Sequence, residues 1–226
     1  MGLSEAINKL GRYMSNEVNH FSFAEEVWHS VTHGIGFLLS IAALTLLVTF
    51  AALGGKPINI LSASIYGTAL ILMYGSSTLY HAISHTQVKQ FFQKFDHSAI
   101  YFLIAGSYTP VLLICIVGVE GWILFSIEWL IAIIGITLKF LFPGRFEALA
   151  MVAYILMGWL IVVIFETFRN SIDPVGFWLL VAGGIFYNIG ILFFIQGHKK
   201  HFHTIWHLFV LAGSIFQFFA ILLYVI

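Results

Sequence analysis

Charge is what this sequence has least of. Only 9% of its 226 residues are Asp, Glu, Lys or Arg, where water-soluble domains carry about 25%. Hydrophobic residues make up 60%, and a water-soluble fold of this size has no core large enough to hide them. A bilayer is the solvent that suits such a chain. Basic and acidic residues balance at 10 each, so no surplus positive charge is there to attract nucleic acid. Cysteine is nearly missing. Cys115 is the only one and sits in an apolar run, which excludes a disulfide framework within one chain and suits a small buried hydrophobe. The HExxH pattern is absent, which excludes a zincin arrangement. A cleavable leader is not expected either. Glu5, Lys9, Arg12, Glu17, Glu25 and Glu26 interrupt every apolar run in the first thirty residues. Ile7, Leu10 and Met14 fall at helical spacing there, which fits a short interfacial helix on the membrane surface.

What the chain does have is long apolar runs. A spanning helix needs about 20 such residues. Seven candidates are present, at roughly 31–53, 58–81, 97–117, 121–141, 148–168, 174–196 and 203–226. Short polar or glycine- and proline-containing breaks separate them, such as Gly54, Gly55 and Pro57, or Asn170, Asp173 and Pro174. The breaks are too short for a soluble domain. Residues 1–226 therefore read as one all-α bundle of seven transmembrane helices, with 1–29 as a cytoplasmic N-terminal segment. The 20 glycines suit close helix approach in lipid. Seven spans put the N-terminus and the second, fourth and sixth loops on one side. That side holds Lys9, Arg12, Lys89, Lys94, Lys139, Arg145, Lys199 and Lys200, and the other only Lys56 and Arg169. The bias predicts a cytoplasmic N-terminus and an outside C-terminus in a multi-pass cell-membrane protein.

Polar groups inside a membrane are costly and usually functional. Here they gather at the cytoplasmic ends. His29 and His33 enter the first span, Ser77, His81 and His85 close the second, Asp96 and His97 open the third, and His203 and His207 open the seventh. His203 and His207 are four apart and share a helix face. Ser77 and His81 have the same spacing on another helix. Val210, Ser214 and Gln217 continue the His207 stripe, which should face the bundle interior. DHSAIYFLIAGS from Asp96 and HTIWHLFVLAGS from His203 reach Ala-Gly-Ser at the same offset, so both residues should sit at similar depth. Three imidazoles from two helices could hold zinc and leave a fourth position for water. Asp96 and Ser77 could then bond that water or orient a ligand histidine. Spacing alone does not separate zinc from another imidazole-preferring ion. His20, His198 and His201 are more simply headgroup residues. Glu128 lies inside the fourth span, far from the histidines, where a protonated or helix-bonded role fits. Glu147 and Glu166 sit near span ends, within reach of headgroups. Thr109 and Pro110 should bend the third span, and Trp122, Trp159 and Trp178 fit interface belts and packing.

Four segments carry a resemblance. EEVWHSVTHGIG (25–36), GSSTLYHAISH (75–85), KFDHSAIYFLIAGSYTP (94–110) and HTIWHLFVLAGS (203–214) resemble the hemolysin III family of bacterial membrane proteins. That family is related to the progestin and adipoQ receptors, which include the adiponectin receptors, and more distantly to the alkaline ceramidases. The resemblance covers nearly the whole chain. It implies that His81, His203 and His207 ligate zinc, with Asp96 and Ser77 beside its water. The opening motif adds Glu25 or Glu26, His29 and His33. Glu25, His29 and His33 share a face at four-residue steps and would line the cytoplasmic mouth of the site, with His85 and His97 as further neighbours.

Two kinds of function fit. One is a zinc hydrolase of a lipid amide or ester, with Asp96 as general base and Ser77 steadying the oxyanion. Its partners would be membrane lipids. The other is a non-enzymatic membrane sensor, receptor-like or cytolytic protein with a structural zinc. A fourth protein ligand would favour the second, an open position beside Asp96 and Ser77 the first. Oligomeric state is not encoded in any pattern here. Orientation can be tested at once. In a Cys115→Ala background, an impermeant maleimide applied to intact cells should label Lys56→Cys and spare Lys199→Cys. The reverse pattern would invert the topology.

Overall fold

The computed structural model describes residues 21–226, and every regular element among them is helical. Seven segments are long and apolar enough to cross a bilayer. The first two spans are α1 (Phe23–Leu53) and α2 (Pro57–Ala82). The third is α3 (Thr86–Pro110), continued by a π-helical turn over Val111–Cys115. The fourth is α4 (Val119–Leu141). The fifth is α5 (Glu147–Trp159) and α6 (Phe165–Ser171), joined by a 3-10 stretch over Leu160–Ile164. The sixth and seventh are α7 (Pro174–Phe194) and α8 (Phe202–Tyr224). The expected interfacial helix around Ile7, Leu10 and Met14, and His20, lie outside the described residues.

Two helices begin earlier than their apolar runs. α1 starts at Phe23 because Ser22 and Glu25 form a capping box: the Ser22 hydroxyl accepts from the Glu25 amide at 3.4 Å and the Glu25 carboxylate accepts from the Ser22 amide at 3.1 Å. Its 31 residues make a rod of about 46 Å, longer than the roughly 30 Å hydrocarbon layer. Glu25, Glu26 and His29 are therefore helical residues rather than tail. α3 starts at Thr86, so Asp96 and His97 lie three turns inside it rather than at its start. The polar stretch before them is amphipathic, and Lys89 is buried on its inner side.

α2 packs between α1 and α3, α1 also meets α8, and α3 carries α4. α5 leans on α3 and α4, while α7 packs chiefly on α8. That leaves a cleft between the fifth and sixth spans, formed by two adjoining cavities of about 130 and 380 Å³. Both touch Tyr108, Gly158, Trp159, Asn188 and Gln217, and apolar side chains make up most of their walls. The Trp159 indole donates to Asn188 Oδ1 across the cleft at 3.1 Å. Where α5 tightens into its 3-10 stretch, the Tyr108 hydroxyl donates to the Gly158 carbonyl at 2.9 Å and lies 3.3 Å from the Ile161 amide. It supplies partners that the broken helix lacks.

Two polar residues depart from expectation. Glu147 does not reach headgroups. It is buried, ion-paired with Lys139 of α4 and 3.5 Å from His97 Nδ1. Glu128 is fully buried, and among the described residues neither carboxyl oxygen has a hydrogen-bond partner. Near the expected bend, Pro110 is followed by the π turn, and Gly121 of α4 presses against it. A Cβ on Gly121 would lie 2.1 Å from the Ile116 carbonyl oxygen and 2.4 Å from that of Leu112. Backbone cannot yield as a side chain can, so Gly121→Ala should destabilise by about 1–3 kcal/mol. Gly184→Ala, with open space at that position, should stay within about 0.5 kcal/mol. Thermal unfolding of both variants in detergent checks the pair.

Candidate metal centre

Five histidines from three helices pack into one buried cluster: His29 and His33 of α1, His81 of α2, and His203 and His207 of α8. Helix periodicity explains the supply. His29 and His33 are four apart, as are His203 and His207, so each pair presents two rings on one face. α1 and α8 pack together and α2 lies against α1, which closes the ring of donors. His29 lies with its ring centroid 4.7 Å from His81 and 4.8 Å from His203. One nitrogen from each of these three residues lies within 4.8 Å of the others. His207 adjoins them, 4.7 Å from His203 and 5.2 Å from His81 between centroids. His33 stacks on His207 at 3.5 Å and 8°. Phe21 caps the group from the chain's N-terminal side, 4.6 Å from His29 and 4.9 Å from His203.

Hydrogen bonds fix which nitrogens are left over. His81 Nδ1 lies 2.7 Å from Glu26 Oε2, so it donates and Nε2 holds the lone pair. His207 Nδ1 lies 3.2 Å from the His29 carbonyl and 3.3 Å from Thr32 Oγ1. A carbonyl only accepts, so this Nδ1 also carries the proton. His33 Nδ1 meets the Ser77 hydroxyl at 2.7 Å. Among the described residues, His81 Nε2, His33 Nε2 and both nitrogens of His29 have no hydrogen-bond partner. Buried polar atoms are normally paired, and each orphan costs about 1–3 kcal/mol. The orphaned nitrogens of His29 and His81, grouped with His203, are a donor set that a divalent cation could use. Zinc sits about 2.0–2.1 Å from imidazole nitrogen, so tetrahedral donors are roughly 3.4 Å apart. The residues fit a borderline-soft divalent ion held by neutral imidazoles.

The other expected residues distribute as follows. Ser77 is buried against His33, which stacks on His207. Asp96 and His97 are buried on α3. His97 faces Glu147, and its carbonyl accepts from the Tyr154 hydroxyl at 2.7 Å. His85 is exposed at the N-cap of α3 and stands outside the cluster. His198 is exposed and His201 half-buried. Glu25 closes the capping box and accepts from the His201 amide at 3.0 Å. His201 holds φ 62° there, in the left-handed region, and starts α8. His29 stands among the donors rather than at the mouth, because α1 begins two turns before it. Lys89, Thr32 and Phe21 were not singled out for the site from the sequence, and Glu26 entered only as the alternative to Glu25 in the opening motif. The adjacent acid pair Glu25–Glu26 was the one available signal, and only the start of α1 assigns a different partner to each.

Comparison with known proteins agrees with this architecture. The family model described as haemolysin-III related matches residues 21–218. The chain is 46% identical over 202 residues to hemolysin-3 of Bacillus cereus, covering 89% of this chain and 92% of that one. It is 45% identical over 204 residues to the hemolysin-3 homolog of Bacillus subtilis (strain 168), covering 90% and 96%. A more distant relative is the monocyte to macrophage differentiation factor of Homo sapiens, 30% identical over 167 residues, covering 71% and 69%.

Metal analysis of the purified chain should find about one ion per molecule. His81→Ala and His203→Ala should reduce it below about a tenth, and His85→Ala should leave it unchanged. Full loading of both core variants would remove the cluster as a metal centre.

Proposed function

The chain belongs to the haemolysin-III related family, as a multi-pass cell-membrane protein, and from that premise we propose that it is a zinc-dependent hydrolase of a lipid amide or ester. His81, His203 and His207 would hold the ion, the set that the family resemblance implies. The observation that carries the reading is the cleft between the fifth and sixth spans. Its apolar wall runs up to Phe194, Trp206 and Val210, and Val210 is about one helical turn from His207. A hydrocarbon tail suits such a wall, and polar groups near its inner end suit a headgroup linkage.

When bound, zinc supplies a Lewis acid that polarises a carbonyl and lowers the pKa of water toward neutrality. Asp96 would act as the general base that takes a proton from the attacking water. The Ser77 hydroxyl steadies the developing oxyanion, and His33 Nδ1, 2.7 Å away, orients that hydroxyl. Phe21, packed on His29 and His203, keeps bulk water off the rings. No row of charges traverses any span, which argues against a pore. On this reading lysis follows from altered lipids.

A second reading has its own support. His29 contributes a nitrogen within 4.8 Å of those of His81 and His203, and a fourth imidazole would close the coordination shell. Zinc would then be a rivet joining α1, α2 and α8 in a sensor-like protein. The test is lipid mass spectrometry on the purified protein incubated with lipid amides and esters. Asp96→Ala should keep its zinc and lose turnover by about 100-fold or more. No change in any lipid with wild-type protein would end the hydrolase reading. Zinc loss in His29→Ala with a lower melting temperature would then favour the rivet.

A further inference from the structure

We infer that Glu26 is the positioning residue of the metal centre, holding His81 as the Nδ1–H tautomer so that its Nε2 is presented to the ion. The inference rests on the zinc reading above and adds the residue that makes one of its ligands a ligand. Glu26 Oε2 lies 2.7 Å from His81 Nδ1. Its other oxygen, Oε1, lies 2.8 Å from Lys89 Nζ. Lys89 in turn donates to the Tyr80 carbonyl at 2.9 Å and stands over the Tyr80 ring at 4.6 Å. The chain is thus Lys89, Glu26, His81, on α3, α1 and α2 in turn. Its side chains are 7%, 15% and 0% exposed.

The geometry selects this role over a surface ion pair. Each carboxylate oxygen has a separate, charge-compatible donor, so the carboxylate is held at both ends. A carboxylate behind a metal-bound imidazole sets the tautomer and raises ligand basicity. The nitrogen opposite, His81 Nε2, is buried and has no hydrogen-bond partner among the described residues. That is the atom such an arrangement would prepare. Lys89 supplies a positive partner that offsets the cost of burying the carboxylate. Glu25, one residue away, spends its oxygens on Ser22 and the His201 amide and cannot substitute.

The test titrates chelator-stripped, full-length protein in detergent with Zn²⁺ against a chromophoric competitor. Glu26→Gln keeps the size and one acceptor but removes the charge, and should weaken zinc binding by about 10–100-fold. Glu26→Ala should weaken it at least as much, and Glu26→Asp should recover part. Lys89→Met should cost less than Glu26→Gln, because His81 keeps its carboxylate. With Co²⁺ in place of Zn²⁺, the visible absorption bands of Glu26→Gln should shift. A merely structural role would lower the melting temperature of the metal-free protein and leave the bands and the affinity alone. Gln and Ala variants within two-fold of wild type would overturn the assignment. Wild-type protein that takes up no zinc would overturn the zinc reading with it, so the two failures are told apart. If Glu26→Ala does not fold, the isosteric Gln variant decides.

Discussion

Two adjacent carboxylates at the start of α1 tie four helices together. Glu25 caps its own helix and, through the His201 amide, fixes the start of α8. Glu26 reaches His81 at the end of α2 and Lys89 near the start of α3. These bonds sit at the end of the bundle, where polar groups are tolerated, yet they are mostly buried. Their strength comes from that position. A charge-assisted bond is worth more where water cannot compete. The same exclusion of water makes an unpaired group expensive. The histidine cluster lies just inside this tie, so its rings inherit their positions from it.

A second polar tie lies on the other side of α3. His97, Glu147 and Lys139 join α3, α5 and α4, and Tyr154 bonds the His97 carbonyl. α3 therefore carries a polar anchor on each flank, Lys89 on one and His97 on the other. Between the anchors the helix holds Asp96, one residue before His97. Together the two ties hold six helices, α1 to α5 and α8, in register at this end of the bundle. The cleft between the fifth and sixth spans opens where no such tie exists. The Trp159–Asn188 bond and the Tyr108 hydroxyl are what bridge and patch it.

The spans were legible in the sequence because bilayer thickness imposes a length on apolar runs, and nothing else in the chain competes with that signal. The starts of α1 and α3 were not, because hydropathy counts apolar residues while caps set helix ends. Ser22 with Glu25 begins a helix in polar sequence that no hydropathy window would include. That offset puts His29 two turns inside α1. The four-residue spacing of His203 and His207 was legible as a shared face, and both do face the cluster. Which acid served which partner was not legible, since Glu25 and Glu26 differ by one residue and about 100° around the helix. The burial of Glu147 also escaped the sequence, because its partner Lys139 sits across a turn on another span. The cleft was invisible for a deeper reason: it is a failure of two spans to pack, and helix pairing is not written in either span alone.

The polar stripe of α8 joins the two features that composition could not connect. From His207 it passes through Val210 to Ser214, whose hydroxyl meets Tyr74 at 2.7 Å and Tyr187 at 2.9 Å, and on to Gln217. Tyr187, Val210 and Gln217 also line the cleft. Ten residues from His207 to Gln217 rise about 15 Å, half the hydrocarbon depth. Gly36 makes room for this seam, since a Cβ there would lie 2.5 Å from the Tyr74 ring. A bundle that needed only a rivet would have no use for hydroxyls extending that far below it. They cost burial unless paired, and here they are paired with one another along a wall that faces the cleft. On the hydrolase reading this seam is what a lipid with its tail in the cleft would follow, its polar linkage lying toward Trp206 and the rings.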